Sequence, residues 1–526
     1  MLLPRWAARP PQATNILRHY QHLPCCRTIL RAYASAPKKP VDKINYNNST
    51  FDDSAELVNY RRVTANDLEG LTEPPWRVKM LVRDFIEDAL YNPNYGYFPK
   101  QATIFTSPET NFDFNSIRDG NEFQSIVAQC YADYGRDQPG PGKQIWHTPT
   151  EIFKPWYGRA VAQCLVSEYL LKYFPYEDFI IYEIGAGNGT LAKDILDFLQ
   201  EHYPEVYERT RYTLVEISGN LAKVQRSTLS KHASNAKIVH MSIFHWDIRE
   251  PAPCFFVAME VIDNFAHDMI RYDLKTLEPY QTFVTIDDTG DFAMHYTRIT
   301  DPLISQFLSL RQTLSHPPSI PAVLRKSSSL RSLYTNLPFA PNLSQPEYIP
   351  TRLLSLLQTL RTHFPLHRLL LSDFSSLPKS VPGYNGPVVQ TRLNNEMVTC
   401  ETILVRHGYF DIFFPTNFDR LRDMYEYVLS QPLKLSSDIQ PMRASPLTTS
   451  VSPLALGAQF FSSHPPNRRS PKDGVASASG LPVGQRKSNV FKHSEFMETY
   501  GDLSKTRLRN GENPMLDYYK NVNFLF

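Results

Sequence analysis

The chain has 526 residues, 42% hydrophobic and 12% aromatic, enough to bury one large or two medium globular cores. With 55 Lys and Arg against 53 Asp and Glu the formal net charge is +2, which gives no general case for nucleic-acid binding. The six cysteines form no C-x-x-C pair and no Cys/His ligand spacing, so no structural zinc is expected. No apolar run approaches the roughly 18 residues that span a bilayer.

No Asp or Glu precedes Asp42. Arg5, Arg9, Arg18, Arg27, Arg31, Lys38 and Lys39 supply positive charge, and Ile16, Leu17, Tyr20 and Leu23 can form an apolar stripe. Such a start reads as a mitochondrial presequence over residues 1–33, cut near Arg31-Ala32-Tyr33, with a polar flexible arm over 34–75. An N-terminal helical region follows over 76–178. In it Val78, Leu81, Val82, Phe85, Ile86 and Leu90 recur at helical spacing, and 101–145 reads as an irregular insertion. Residues 151–174 read as a helix with Val161, Leu165, Val166, Tyr169 and Leu170 inward.

Residues 179–430 form the expected core, with a Ser/Pro-rich insertion at 305–347. Its first part, 179–300, carries the strand–helix alternation of a doubly wound sheet. A helix from Thr351, a strand over 369–374, a short strand near Phe410 and a helix after Asp419 complete it. Residues 435–488 read as a disordered Ser/Pro linker, and 489–526 as a segment that packs back on the sheet. The fold class is therefore α/β, with a mostly parallel, Rossmann-like sheet, a helical N-terminal part and insertions.

The most informative stretch is IIYEIGAGNGTL, residues 180–191. A buried strand, a tight glycine turn and a helix N-terminus together make a cradle for a nucleotide-like ligand. The spacing of Gly185, Gly187 and Gly189 is G-x-G-x-G, not the G-x-G-x-x-G that suits a pyrophosphate. Glu183, just before the first glycine, would repel a pyrophosphate but could hold the amino group of an amino-acid-like cofactor. S-adenosyl-L-methionine has such a group and no phosphate. Glu216, ending the next strand-like run, can accept both ribose hydroxyls, or can be a solvated strand end. Asp247, after the apolar pair Ile238-Val239, is the candidate adenine contact; a turn or N-cap residue is the other reading. A nicotinamide-dependent oxidoreductase is the competing reading for such a loop, and the spacing and Glu183 argue against it.

Four blocks resemble the mitochondrial MidA-like methyltransferases: ALYNPNYGYF at 89–98, TPTEIFKPWYG at 148–158, EIGAGNGTLAKDIL at 183–196 and MEVIDNFAHD at 259–268. Weaker similarity continues at Ser372-Asp373-Phe374 and from Asp411 to Leu421. The chain departs from the family pattern at Met259, Ala266 and Ser375, where the family has Asn, Pro and Gly, and its Pro149 is displaced. A TSPE string at 106–109 copies one block by letters, but lacks the following F-G, so Glu151 is preferred. The resemblance implies a matrix enzyme that methylates arginine on a protein substrate during respiratory complex I assembly, with no nucleic-acid partner. A binding-only assembly factor is the alternative that Met259, Ala266 and Ser375 favour.

An arginine substrate needs carboxylates to hold its guanidinium and take the proton lost on methylation. Glu260 and Asp263, at the exit of the fourth strand, are the candidate pair for this. Capping of a following helix, or pairing with Arg271, is their structural alternative. The resemblance adds Glu151 as a third catalytic candidate, on the far side of the cofactor.

Overall fold

The computed structural model describes residues 57, 59–100, 103–104, 112–135, 145–146, 148–337, 340–393, 396–431 and 488–526. The proposed presequence, the Ser/Pro linker and the TSPE string lie outside the described residues. Seven strands form the central sheet, numbered here in chain order: β1 (Phe179–Ile184), β2 (Thr210–Glu216), β3 (Ala236–His240), β4 (Cys254–Met259), β5 (His367–Phe374), β6 (Val490–Lys492) and β7 (Val522–Leu525). Their spatial order is β6-β7-β5-β4-β1-β2-β3. Strands β1 to β5 pair in parallel, and β7 is antiparallel to both of its neighbours.

Every residue of β1 is buried, because helices cover both faces of the sheet. Ile180, Tyr182 and Ile184 pack into one core with the helices Thr351–His363 and Phe418–Ser430. Phe179 and Ile181 point to the other face, into a core built by the helices Trp156–Lys172 and Thr190–His202. The chain runs from β1 to β2 on one side, and β4 lies on the other. A crevice therefore opens beyond the carboxyl end of β1, where a doubly wound sheet binds its ligand.

Several expectations need correction. Val78–Leu81 is a strand, and its helix starts at Val82. Burial on both sides makes its apolar run look helical, and only the pairing with Pro279–Ile286 reveals the strand. Part of the arm is ordered: Arg61–Arg62 pairs with that strand and Leu68 is fully buried. The insertion at 101–145 contains a 16-residue helix, Gly120–Gly135. Leu170 faces solvent. The alternation over 179–300 stops at β4. Asp268–Tyr272, Pro279–Ile286 and Phe292–Arg298 instead build a second, antiparallel sheet with Glu347–Ile349. The Ser/Pro-rich stretch carries the helices Pro302–Thr313, Ala322–Lys326 and Ser328–Thr335.

Candidate active site

Gly185, Gly187 and Gly189 sit at φ +66°, +54° and +80°, a region that L side chains avoid. A Cβ on Gly185 would also fall 2.4 Å from Val261 Cγ2, so the loop runs against the segment that leaves β4. Glu183 is buried at the end of β1 and accepts a 2.7 Å hydrogen bond from the Tyr212 hydroxyl. Burial pushes its carboxyl up to about 7; the Tyr212 bond opposes this and the nearby Glu216 charge reinforces it. The Glu216 charge is therefore near enough to act on Glu183.

Glu216 closes β2. Its Oε1 accepts from the Ser218 N–H and its Oε2 from Gln225 Nε2, both at 2.8 Å. The same Nε2 donates to the Gly187 carbonyl at 2.8 Å, so Gln225 ties the glycine loop to β2. Gln225 Oε1 is buried without a partner. Burial raises the Glu216 carboxyl above its usual range. Ile217, the next residue, leaves 43% of its surface open.

Two candidates change place or task. Asp247 is exposed on the connection that descends from β3 to β4, within the field of His363 at the far end of the helix Thr351–His363. That is the opposite end of the strands from the glycine loop, so the structure does not bring Asp247 to the crevice. Nothing local in the sequence tells how far the connection has descended by then. Glu151 is buried, and its Oε1 accepts from Asn188 Nδ2 at 3.1 Å and Thr190 Oγ1 at 2.6 Å. Through Oε1 it braces the glycine loop, a positioning task, while its buried Oε2 has no hydrogen-bond partner and lies 3.6 Å from Lys154 Nζ. Thr148, as N-cap of Pro149–Ile152, fixes its start.

Beyond β4 and β5 lies a cluster of four carboxylates, three of them buried and Glu260 half-buried. Glu260 holds φ +54°, unusual for a residue with a side chain, and its N–H donates to the Ser372 carbonyl at 2.8 Å. Its Oε1 is buried with no partner, as is Asp263 Oδ1. Asp373, on β5, accepts from the Ile262 N–H at 2.9 Å and the Asp263 N–H at 3.1 Å. Asp411 accepts from Asn264 Nδ2 at 3.0 Å, while its Oδ2 is buried and unpaired. Among the described residues no Lys, Arg or His pairs with any of these four carboxylates. Burial, reinforced by the Asp373 charge, pushes the Glu260 and Asp263 carboxyls well above the usual range. Burial holds Asp373 up to about 7 against its backbone hydrogen bonds. Arg271 does not neutralise the pair: it donates to the Ser344 carbonyl and the Tyr296 hydroxyl. Only the three-residue 3-10 turn Ile262–Asn264 follows Glu260, so there is no long helix for the pair to cap.

Residues 160–433, more than half of the chain, match the model of a family of S-adenosyl-L-methionine-dependent methyltransferases. The chain belongs to this family. The mitochondrial protein arginine methyltransferase NDUFAF7 homolog of Schizosaccharomyces pombe is 25% identical over 374 residues, 69% of this chain and 75% of that protein. The Saccharomyces cerevisiae protein of the same name is 23% identical over 238 residues, 42% of this chain and 51% of that one. A crystal structure of a COG1565 superfamily member from Burkholderia thailandensis, bound to S-adenosyl-homocysteine, aligns with a TM-score of 0.43 at 15% identity. It covers 69% of this chain and 74% of that chain.

The methyltransferase cofactor is S-adenosyl-L-methionine, and the crevice suits it. Glu183, at the end of β1, would be the carboxylate for the amino group. Three side-chain-free positions let the backbone approach the ligand, Glu216 keeps unused acceptor sites for ribose hydroxyls, and Ile217 offers an apolar surface to a base. Family membership displaces the nicotinamide alternative. Sequence reasoning missed Gln225, Asp373 and Asp411 as site residues. Asp373 and Asp411 each end or begin a strand with a carboxylate, a weak signal until the fold sets both beside Asp263.

Proposed function

We propose that this chain is a mitochondrial matrix protein arginine methyltransferase whose substrate is a protein subunit of respiratory complex I. The observation that carries the reading is the cluster of Glu260, Asp263, Asp373 and Asp411, unpaired with any cation among the described residues, next to Val261, which packs against the first glycine of the cofactor loop. Three buried carboxylates and the half-buried Glu260, with no counter-ion among the described residues, are costly, and a planar cation with five N–H donors would relieve that cost. The names of the fungal relatives support the same substrate and compartment, and the acid-free, arginine-rich first 41 residues support import.

The bound cofactor would supply a methyl group already activated on a sulfonium. The chain then has to bind, orient and deprotonate the acceptor. Asp263 and Asp411, each with a free buried oxygen, hold the guanidinium in register. Glu260, strained at φ +54°, aims its free Oε1 at the acceptor nitrogen and takes the proton released as the N–C bond forms. Asp373 fixes the turn through its two backbone hydrogen bonds. Burial excludes the water that would compete as acceptor.

The test is methyl-labelled cofactor with the full chain and mitochondrial protein extract, followed by hydrolysis and identification of the labelled amino acid. Label on arginine, lost in Asp263→Asn while cofactor binding persists, supports the proposal. Cofactor binding without label transfer refutes it and leaves the binding-only assembly factor.

A further inference from the structure

A second feature lies away from the crevice, in the stretch between Asp301 and Glu347. It contains no acidic residue, and its cations include Arg311, Arg325, Lys326 and Arg331. Arg311 is spent on a buried pair with Glu347 at 2.9 Å. Arg331 donates to the carbonyls of Leu324 and Arg325 and ties the helix Ala322–Lys326 to Ser328–Thr335. Leu324 and Tyr334 pack on the core and anchor this helical pair.

The remaining apolar side chains turn outward. Val323 and Leu333 are 62% and 63% exposed, and Leu330 and Leu337 are exposed as well. Leu330 and Leu333, spaced i and i+3, share one face of Ser328–Thr335, and Leu337 lies just past its end, where its N–H donates to the Tyr334 carbonyl. A soluble helix normally turns such a stripe inward. In that helix the inward contact is made by Tyr334 alone, and near the leucines in sequence stand the exposed Lys326 and the half-buried Arg325 and Arg331.

An outward stripe of leucines rimmed by cations, on a stretch without a single carboxylate, has the chemistry of an interfacial helix on an anionic membrane. We propose that residues 320–337 dock this chain on an anionic lipid surface, with Val323, Leu330, Leu333 and Leu337 entering the headgroup layer. Charge complementarity selects the lipid: the stretch from 302 to 346 holds no acidic residue, and among the described residues no ion pair engages Arg325 or Lys326. No described helix is long and apolar enough to cross a membrane, so the attachment is peripheral. This inference does not depend on the substrate reading.

The experiment is co-sedimentation of the full chain with phosphatidylcholine vesicles, with and without phosphatidylglycerol, at low and high salt. The arginines near the N-terminus carry the same sign of charge, so the variants decide. Arg325→Glu with Lys326→Glu should weaken binding to anionic vesicles by about 25-fold or more, from about fivefold per basic side chain near an anionic surface. Leu330→Glu with Leu333→Glu should weaken it by at least about tenfold, since two apolar insertions are lost. Both variants should keep cofactor binding; the leucine variant should keep the wild-type melting temperature because Leu330 and Leu333 are exposed, and melting of the charge variant checks the half-buried Arg325. Equal binding to neutral and anionic vesicles, or wild-type binding by both variants, overturns the proposal; so does binding by the wild-type chain to neither vesicle.

Discussion

Replacing Gly185 by alanine tests the join between the cofactor loop and the carboxylate pocket. Two costs are readable. The backbone at φ +66° disfavours any side chain by about 1–2 kcal/mol, and the new Cβ, 2.4 Å from Val261 Cγ2, adds about 1–3 kcal/mol of overpacking. The expected total is about 2–5 kcal/mol. If the loop stays in place, the loss appears as a lower melting temperature. If it moves, cofactor affinity falls tenfold for every ~1.4 kcal/mol. Gly189→Ala is the control: at φ +80° it carries the backbone cost, but its Cβ would meet nothing nearer than Gln225 Cγ at 3.4 Å. Adding Val261→Ala to Gly185→Ala should recover the overpacking part and leave the backbone part. Titration calorimetry with S-adenosyl-L-methionine and thermal unfolding on the three variants and the wild-type chain separate the two. Wild-type affinity and stability in Gly185→Ala, or no recovery with Val261→Ala, would refute the packing argument.

Cofactor binding should weaken below pH 7. Glu183 titrates at about 7 in the free protein, and a bound ammonium favours its ionised form, so affinity should fall about tenfold per pH unit below that value. Calorimetry between pH 5 and 8 checks this, and Glu183→Gln should flatten the profile. Asp263→Asn should abolish most methyl transfer yet stabilise the ligand-free fold at pH 8. The Asp263 carboxyl is raised far above its unfolded value, so its stability contribution is present at low pH and lost as pH rises. A melting temperature that falls at pH 8 would contradict that sign. Glu151→Ala strips Asn188 and Thr190 of their acceptor and should cost about 2–3 kcal/mol, seen as weaker cofactor binding with little change in turnover at saturation. A loss in turnover alone would instead restore Glu151 as a catalytic group.

The central sheet and the cofactor loop were legible because their signals are local. An apolar run buried on both faces, three glycines at positive φ and an apolar stripe at helical spacing are each contained within about twenty residues. The same locality misled at Val78–Leu81, where an apolar run next to a real helix shares its periodicity, and at 268–298, where antiparallel strands follow a parallel sheet. Glu183, Glu216 and the glycines stand at strand ends that the sequence marks, and parallel pairing of β1 with β2 puts Glu183 opposite Leu214, two residues before Glu216 on the neighbouring strand. Asp247 failed because the level at which a connecting loop lies along the sheet is set by packing against another helix, not by its own residues.

By itself the sequence determined the doubly wound core, the phosphate-free cofactor loop and two of the acidic residues. Only the tertiary structure joined Glu260 and Asp263 to Asp373 and Asp411, which lie more than 100 positions away. It also turned Glu151 into a brace and left the leucines of Ser328–Thr335 facing outward. The reason is physical. Strand and turn preferences act between neighbours in the chain, whereas the repulsion of buried carboxylates and the cover on a helix face depend on which distant segments the fold brings together.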